Sequence, residues 1–396
     1  MSSIARIPTP DAVVPTSADA PGIHVPRVFG TLRGGPGTTL IVVGGVHGNE
    51  PAGALALPRV VARLGEHGPR AIAGEFLALA GNVQALARNR RFLREDLNRI
   101  WLPERLARVR AATEGLEDED EELAALDREI ARALARARGP VVVFDVHSVS
   151  GPGPAFVTLD DTLANRAVAF RIPSPCVLGL EEELPGTLTD YFVRAGVTSF
   201  GFESGQLYDP RSVARAEAAI WLVLAATGLI QAAEWPEVAA ARRLLEDDRD
   251  ALPGVVEVRH RHAVRPGDGF RMRPGYTSFQ HVRAGEVLAE QAAGPVHAPC
   301  DGLILMPLYQ GQGSDGFFVV RPVHRFWLRL SLVARQLPLR GLLAWLPGVR
   351  RHPDAPGSFV VDTHRARWLA LPLFHLLGFK RSARLPHGLV MTPRSR

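Results

Sequence analysis

One stretch, residues 41–53, constrains this chain more than any other. It begins as a short apolar run rich in β-branched residues, of the kind expected for a buried strand, and the run ends at Gly44-Gly45. A turn then places His47 and Glu50 three residues apart, ahead of an apolar helix. An imidazole and a carboxylate at this spacing can bind the same Zn²⁺, which accepts nitrogen and oxygen ligands.

Such a pair needs a third ligand from elsewhere in the chain. His147 is the candidate, because it ends a second buried-strand pattern at 141–147. Either histidine alone is more often an ordinary polar residue after a strand than a ligand. Together, two His and one Glu, with a fourth position left to water, form the pattern of a catalytic rather than a structural zinc site. Both pieces follow strands, where open α/β sheets bind their ligands.

Two groups of polar residues near these motifs have alternative interpretations. Asp145 lies two residues before His147, on the same face of the strand. It serves either as the hydrogen-bond acceptor that metal-binding imidazoles usually have, or as a purely structural residue. Arginines crowd the passage 88–99, and we interpret Arg88, Arg90 and Arg94 as solvated.

The chain resembles the succinylglutamate desuccinylase/aspartoacylase family in three segments, which follow the family's order. They are Gly-Gly-Val-His-Gly-Asn-Glu at 44–50, Arg-Phe-Leu-Arg-Glu-Asp-Leu-Asn-Arg at 91–99 and Asp-Val-His-Ser at 145–148. The resemblance covers roughly residues 38–325. That family is related in fold and site to the zinc carboxypeptidases. The resemblance implies one Zn²⁺ per chain, held by His47, Glu50 and His147.

The same resemblance implies roles for four more residues. Asn98 and Arg99 would hold a substrate carboxylate, which guanidinium groups bind in bidentate geometry. Arg91 would polarise the scissile carbonyl. Glu203, at the end of a predicted strand at 197–203, would be the catalytic carboxylate, and the alternative is a surface Glu before a turn. The acidic run 181–183 fits that surface alternative better.

The predicted fold class is α/β, with a zinc-carboxypeptidase-like mixed sheet flanked by helices, a smaller C-terminal all-β domain and a basic helical tail. In the resembled family the β domain covers the mouth of the active site, where Tyr276 or Tyr309 could contribute a hydroxyl. The predicted divisions are a disordered lead-in at 1–25, the zinc hydrolase α/β domain at 26–230, a helical connection at 231–254, the β domain at 255–325 and the tail at 326–396.

Composition excludes several other classes of protein. Cys176 and Cys300 are the only cysteines, so there is neither a disulfide framework nor a thiolate zinc cluster. We expect no signal peptide and no membrane-spanning helix, and therefore a cytoplasmic protein. The β region contains no lysine, which excludes a lipoyl or biotinyl carrier. The acid-rich region 114–138 is predicted to be a solvated surface helix.

Charge is unevenly distributed along the chain. Residues 326–396 carry a net charge of +10, whereas residues 1–325 carry −5. The tail also mixes Trp and Leu with Arg, which predicts helices that pack on the body, contact a second copy of the chain or lie weakly on an anionic membrane surface. No nucleic-acid-binding module is recognisable, so we expect no nucleic-acid partner.

These residues together predict a zinc-dependent amidohydrolase that cleaves a small, anionic N-acyl amino acid. The runner-up within the enzymes is a carboxypeptidase-like metallopeptidase, which a site without an occluding β domain would favour. From a different class, a non-catalytic binding protein could retain the fold. The retention of all the candidate site residues argues against that alternative.

Overall fold

The computed structural model describes residues 17, 19–68, 71–112, 114–362, 365–366, 370–386 and 388–394. Most of the predicted disordered lead-in lies outside these residues. Its described end packs against the body, because the Asn89 side chain donates to the carbonyls of Ser17 and Ala20, and the Ile23 N–H donates to the Leu86 carbonyl.

The first half of the chain forms most of a mixed eleven-stranded sheet. Its strands are β1 (Val28–Arg33), β2 (Gly35–Gly44), β3 (Ala73–Ala80), β4 (Val141–Val149), β5 (Phe156–Leu159), β6 (Cys176–Leu178) and β7 (Thr198–Gln206). In space they follow the order β1-β3-β2-β4-β7-β5-β6. Strands β3, β2, β4 and β7 are parallel, and their apolar runs are buried on both faces, as parallel strands covered by helices require.

Helices cover both faces of this sheet. They are α1 (Ala52–Gly65), α2 (Val83–Ala87), α3 (Pro103–Ala111), α4 (Glu119–Arg136), α5 (Leu163–Ala169), α6 (Leu188–Arg194), α7 (Pro210–Ala226) and α8 (Pro236–Arg249), with a short 3₁₀ turn at Leu97–Arg99. One apolar cluster joins α1, α7 and α8 to the sheet, and a second joins α3, α4 and α6 to its other face. The predicted mixed α/β architecture is therefore confirmed.

The β region that follows extends the main sheet. Its strands are β8 (Val255–Ala263), β9 (Arg271–Met272), β10 (His281–Val282), β11 (Val287–Gln291), β12 (Gly294–His297), β13 (Gly302–Leu305) and β14 (Asp315–Pro322). Strand β8 pairs with β6 in parallel, and β14, β13 and β10 continue the same sheet. Strands β12, β11 and β9 form a separate three-stranded sheet. This all-β part thus has its own small sheet and a continuous connection to the sheet of the first half.

The prediction of a helical tail is wrong for its second half. After α9 (Arg325–Gln336) and a 3₁₀ segment at Leu339–Trp345, four strands form an antiparallel sheet: β15 (Val349–Arg351), β16 (Phe359–Asp362), β17 (Phe379–Leu385) and β18 (Gly388–Pro393), with α10 (Ala370–Leu376) before β17. Buried Phe359 and Val361 alternate with less buried neighbours, which is the period of a strand. Phe359, Phe374 and Phe379 pack edge to face in a core of their own.

The surface of α9 and the segment after it is unusually apolar. Phe326 and Trp327 are more than half exposed, and Trp345 is 87% exposed. In the part of the chain that the structure describes, no helix combines the length and the hydropathy needed to cross a bilayer. Contact with a membrane surface or a second copy through this region stays a prediction, as does the cytoplasmic location.

Candidate metal centre and active site

The order of the strands brings the two histidines together. Strands β2 and β4 are parallel neighbours, with Gly44 paired to Val146, so the turn after β2 lies beside the end of β4. His47 is on that turn and His147 is on β4. On the other side of β4, Glu203 of β7 is paired with His147. Three predicted site residues from distant parts of the sequence therefore meet at one edge of the sheet.

The turn that carries His47 depends on glycine. Gly45 has a φ of +76°, a conformation that residues with a Cβ adopt at a cost. A Cβ on Gly48 would lie 2.1 Å from the backbone carbon of Ala85, which no side chain can tolerate. The backbone of the turn is thus pressed against α2, and this contact holds the imidazole and carboxylate that flank Gly48 in place.

His47, Glu50 and His147 form a compact, buried cluster. Glu50 Oε1 lies 2.9 Å from Nδ1 of His47, and Glu50 Oε2 lies 2.9 Å from Nδ1 of His147. One ligand atom from each residue lies within 4.8 Å of the other two. Nδ1 of His47 is buried, and because its 2.9 Å contact with Glu50 lacks the angles of a hydrogen bond, this nitrogen has no hydrogen-bond partner among the described residues. A buried nitrogen without a partner, facing a carboxylate, is what a site for a cation presents.

Each imidazole also contacts a carboxylate through its other nitrogen. Nε2 of His147 lies 2.7 Å from Asp145 Oδ2, and Nε2 of His47 lies 2.9 Å from Asp96 Oδ1. This is the arrangement by which proteins orient metal-binding imidazoles, with Nδ1 left for the metal. The structure thus places the Asp145 carboxylate against His147, for which the sequence left two interpretations open. It adds Asp96, which sequence reasoning missed although Asp96 lies within the second motif.

The charges around this point favour a bound cation. Carboxylates of Glu50, Asp96, Asp145 and Glu203 surround the two imidazoles, and Arg91 is the nearest opposing charge. Burial alone would raise the pKa of Glu50, but the two histidines hold it well below its usual range. Burial would lower the pKa of His147, but Asp145 and Glu50 hold it well above. The residues present therefore fit Zn²⁺, for which this donor set is typical.

Arg91 lies inside the centre. Its guanidinium donates to Glu50 Oε1 at 2.8 Å and to Asp96 Oδ2 at 3.3 Å, so it also braces two of the carboxylates. Its Nε–H is buried and has no acceptor among the described residues. One donor of Arg91 thus stays available beside the histidines.

The loop that carries Arg91 is held by helix α4, which corrects the prediction of a solvated helix. The buried carboxylate of Glu119 accepts hydrogen bonds from the backbone N–H groups of Leu93, Arg94 and Glu95. Glu122, one turn along, accepts from two backbone N–H groups at the start of α2. The acidic first turn of α4 is therefore a support for the active-site loop. Spacing alone did not show this, because the partners are backbone groups.

Asn98 and Arg99 lie on the 3₁₀ turn beside the centre and line the same pocket. The Asn98 Oδ1 accepts from the Leu188 N–H at 2.9 Å, which fixes the amide. The Asn98 Nδ2 then lies 3.4 Å from His147 Nε2. Because His147 Nε2 already donates to Asp145, it cannot accept from Asn98, and the N–H groups of the Asn98 amide are left for a ligand. Arg99 donates to Asp315 of β14 at 3.1 Å.

Glu203 is buried at the end of β7 and lines the pocket. Its Oε2 has no hydrogen-bond partner among the described residues. Burial raises the pKa of Glu203 to about 7, against the effect of His147. The next residue, Ser204, donates its hydroxyl to the His147 carbonyl at 2.8 Å. Ser204 thus ties β7 to the strand that carries His147.

The β region lines part of the pocket. Gln310 accepts a hydrogen bond from Asn49, which lies between His47 and Glu50 in the chain. Met306, Leu308 and Asp315 also line the pocket. Neither tyrosine suggested by the sequence does so. The Tyr276 hydroxyl donates to Glu286 at 2.8 Å, and the Tyr309 hydroxyl donates to the Arg273 carbonyl at 2.8 Å.

The fold and the site together define the class of protein, which is a mixed-sheet α/β protein with a His-Glu-His cluster at the carboxyl ends of its strands. Comparison with family models is more specific. Residues 36–212 match the succinylglutamate desuccinylase/aspartoacylase catalytic domain. This part of the chain is therefore similar to the catalytic domain of that family, and the resemblance predicted from the three motifs is confirmed. The family is hydrolytic, which supports an enzyme.

A curated relative matches over a short stretch only. Succinylglutamate desuccinylase of Photorhabdus laumondii is 40% identical over 63 residues, which cover 16% of this chain and 19% of the relative.

Solved structures share the fold over a longer span. A succinylglutamate desuccinylase/aspartoacylase from Rhodobacter sphaeroides has a TM-score of 0.56 and 21% identity, covering 74% of this chain and 88% of that one. The product-bound ectoine utilization protein EutE (DoeB) of Ruegeria pomeroyi has a TM-score of 0.52 and 21% identity, covering 74% and 87%.

Proposed function

We propose that this chain is a zinc-dependent amidohydrolase that cleaves the amide bond of a small N-acyl amino acid. The observation that carries the proposal is the buried cluster of His47, Glu50 and His147, in which each imidazole turns Nδ1 to the shared carboxylate and Nε2 to a second carboxylate. The family match supports the same class of reaction.

His47, Glu50 and His147 would hold one Zn²⁺. When bound there, the ion would supply a Lewis acid for the substrate carbonyl and would make a water molecule more acidic. The chain's own residues account for the rest of the chemistry.

Glu203 would move the proton. Its Oε2 is buried beside His147 and has no competing partner among the described residues, so it can accept a proton from the attacking water and pass it to the leaving amine. Arg91 would donate from Nε to the carbonyl oxygen as negative charge develops there.

Asn98 and Arg99 would orient the substrate through its carboxylate. The Asn98 amide has its oxygen engaged and its N–H groups available, and Arg99 lies next to it. Anchoring one end of the substrate places the scissile carbonyl beside the cluster. Gln310 lines the pocket and accepts a hydrogen bond from Asn49, so the β region limits the space for a substrate, which favours small amides over peptides.

The test is Glu203→Gln, assayed by amine release from a panel of N-acetyl and N-succinyl amino acids. We expect the variant to retain zinc and lose nearly all turnover, because Gln cannot accept the proton. Glu217→Gln, at a partly exposed Glu of α7 outside the pocket, is the control and should keep wild-type turnover. Wild-type protein that contains zinc but releases no amine from any member of the panel would contradict the proposed substrate class. Full activity of the Glu203 variant would contradict the assigned role.

A further inference from the structure

The C-terminal sheet supports one side of the active-site pocket. Asp160 and Glu181 line the pocket, and both contact cations from the tail. Lys380, on β17, donates to Asp160 Oδ2 at 2.7 Å. Arg394, just after β18, donates to the other Asp160 oxygen and to Glu181 Oε1. We call Asp160, Glu181, Lys380 and Arg394 the ion-pair wall.

Both cations of the wall are buried and further anchored by the body. The Lys380 side chain is 10% exposed and also reaches Asp190 Oδ1 at 3.1 Å. The Arg394 side chain is 3% exposed and also reaches Glu182 Oε1 at 2.7 Å. Charges this deeply buried remain ionised only when they are paired, so the tail and the pocket lining depend on each other.

The tail supplies both cations of the wall. Both Asp160 oxygens and Oε1 of Glu181 are engaged by tail cations, whereas Oε2 of Glu181 has no partner among the described residues. Burial raises the pKa of Glu181 to about 8 even though Arg394 opposes that shift. Without Lys380 and Arg394, the Asp160 carboxylate would face the pocket with no cation of the wall beside it and would repel an anionic substrate group.

We propose that Lys380 and Arg394 are specificity-determining positioning residues, which let the pocket accept a substrate group that carries a carboxylate by neutralising Asp160 and Glu181. This inference rests on the proposed function, because it concerns which substrate the same pocket takes. Both residues lie outside the matched catalytic domain, so the tail supplies a part of the site that this domain lacks.

A purely mechanical role of the tail makes different predictions. If the ion pairs only attach the C-terminal sheet, loss of one cation should lower stability and should affect all substrates alike. If the cations also set the charge of the wall, their loss should discriminate between substrates of different charge. Arg394→Lys, which keeps the charge, should then largely preserve selectivity.

The test compares full-length wild type with Arg394→Met, Lys380→Met, Arg394→Lys and Glu181→Gln. KM and kcat are measured with the N-succinyl and N-acetyl derivatives of one amino acid, and the affinity for succinate is measured by calorimetry. We expect both Met variants to raise KM for the N-succinyl substrate about tenfold, with KM for the N-acetyl substrate and both kcat values changed less than twofold. Glu181→Gln should act in the opposite direction when assayed above about pH 8, where Glu181 is ionised, so the inference stays testable if a Met variant fails to fold.

Succinate binding separates this inference from the proposed function, because it requires no turnover. Weaker succinate binding in the folded Met variants supports the inference even if the wild type hydrolyses no substrate. Equal changes for both substrates, or succinate affinity that is the same in the wild type, the Met variants and Glu181→Gln, would overturn it. A wild type that does not bind succinate would overturn it as well.

Discussion

The stability of the protein should depend on pH through His375 of α10, where the tail meets the body. Nδ1 of His375 lies 2.7 Å from Glu257 Oε1, and its Nε2 lies 3.3 Å from Glu182 Oε1. Burial alone would lower the pKa of His375, but these two carboxylates raise it to about 9. Arg259 and Arg394, which pair with the same carboxylates, face the cluster from the body and the tail.

The sign and size follow from the raised pKa. A histidine that binds its proton more tightly when folded stabilises the protein fully below its unfolded pKa, near 6.5, and this contribution is lost as pH rises through about 9. The difference between the two pKa values corresponds to about 3 kcal/mol. Ionisation of Glu181 changes stability in the same direction, so only a comparison with a His375 variant isolates the histidine.

The assay is urea unfolding of the wild type and His375→Gln between pH 6 and pH 9.5. We expect the wild type to be more stable than the variant by a few kcal/mol at pH 6, and the two stabilities to converge as pH rises. His281→Gln, at an exposed histidine of β10, is the control and should follow the wild type. If the free energies of unfolding of the wild type and His375→Gln differ by the same amount at all these pH values, His375 does not cause the pH dependence.

Two further substitutions test the parts of the site that the structure added. Asp96→Asn should weaken zinc affinity about 10- to 100-fold, because it removes the carboxylate that orients His47. Competition with a chelator measures this affinity. The control is Asp120→Asn, which is equally exposed but pairs with arginines away from the site and should have no effect. Glu119→Gln should lower the free energy of unfolding, measured in urea, by about 1.5–3 kcal/mol and should reduce turnover, because backbone N–H groups of the active-site loop lose a charged acceptor. The control, Glu121→Gln on the same helix, should leave both stability and turnover unchanged. Unchanged zinc affinity in the first variant, or unchanged stability and turnover in the second, would contradict these roles.

The sequence was sufficient to predict the parts of the protein that depend on short, contiguous residue patterns. Strands β2 and β4 are apolar runs that end next to a histidine, and their parallel pairing follows from the α/β architecture. That pairing brings His47, Glu50 and His147 together as predicted. Glu203 required the family resemblance, because a Glu at the end of a strand has no local signal of its function.

The sequence was not sufficient for buried charges whose partners are distant. The run 181–183 was predicted to be a surface loop, but these acidic residues pair with Arg394, His375 and Arg381 from the tail. Nothing in a contiguous acidic run distinguishes solvent from a cationic partner two hundred residues away. The strands of the tail were missed because they are only three to seven residues long, too short for a strand pattern to stand out beside the amphipathic helical segments.

The central claim is that His47, Glu50 and His147 hold a zinc ion on which hydrolysis depends. The most direct test is the metal content of the full-length protein, expressed with added zinc, beside that of His147→Ala. We expect about one zinc per wild-type chain and little zinc in the variant. We also expect amine release from an N-acyl amino acid to increase in proportion to the zinc content. A folded wild-type protein without zinc, or one whose zinc content and activity are unchanged in His147→Ala, would contradict it.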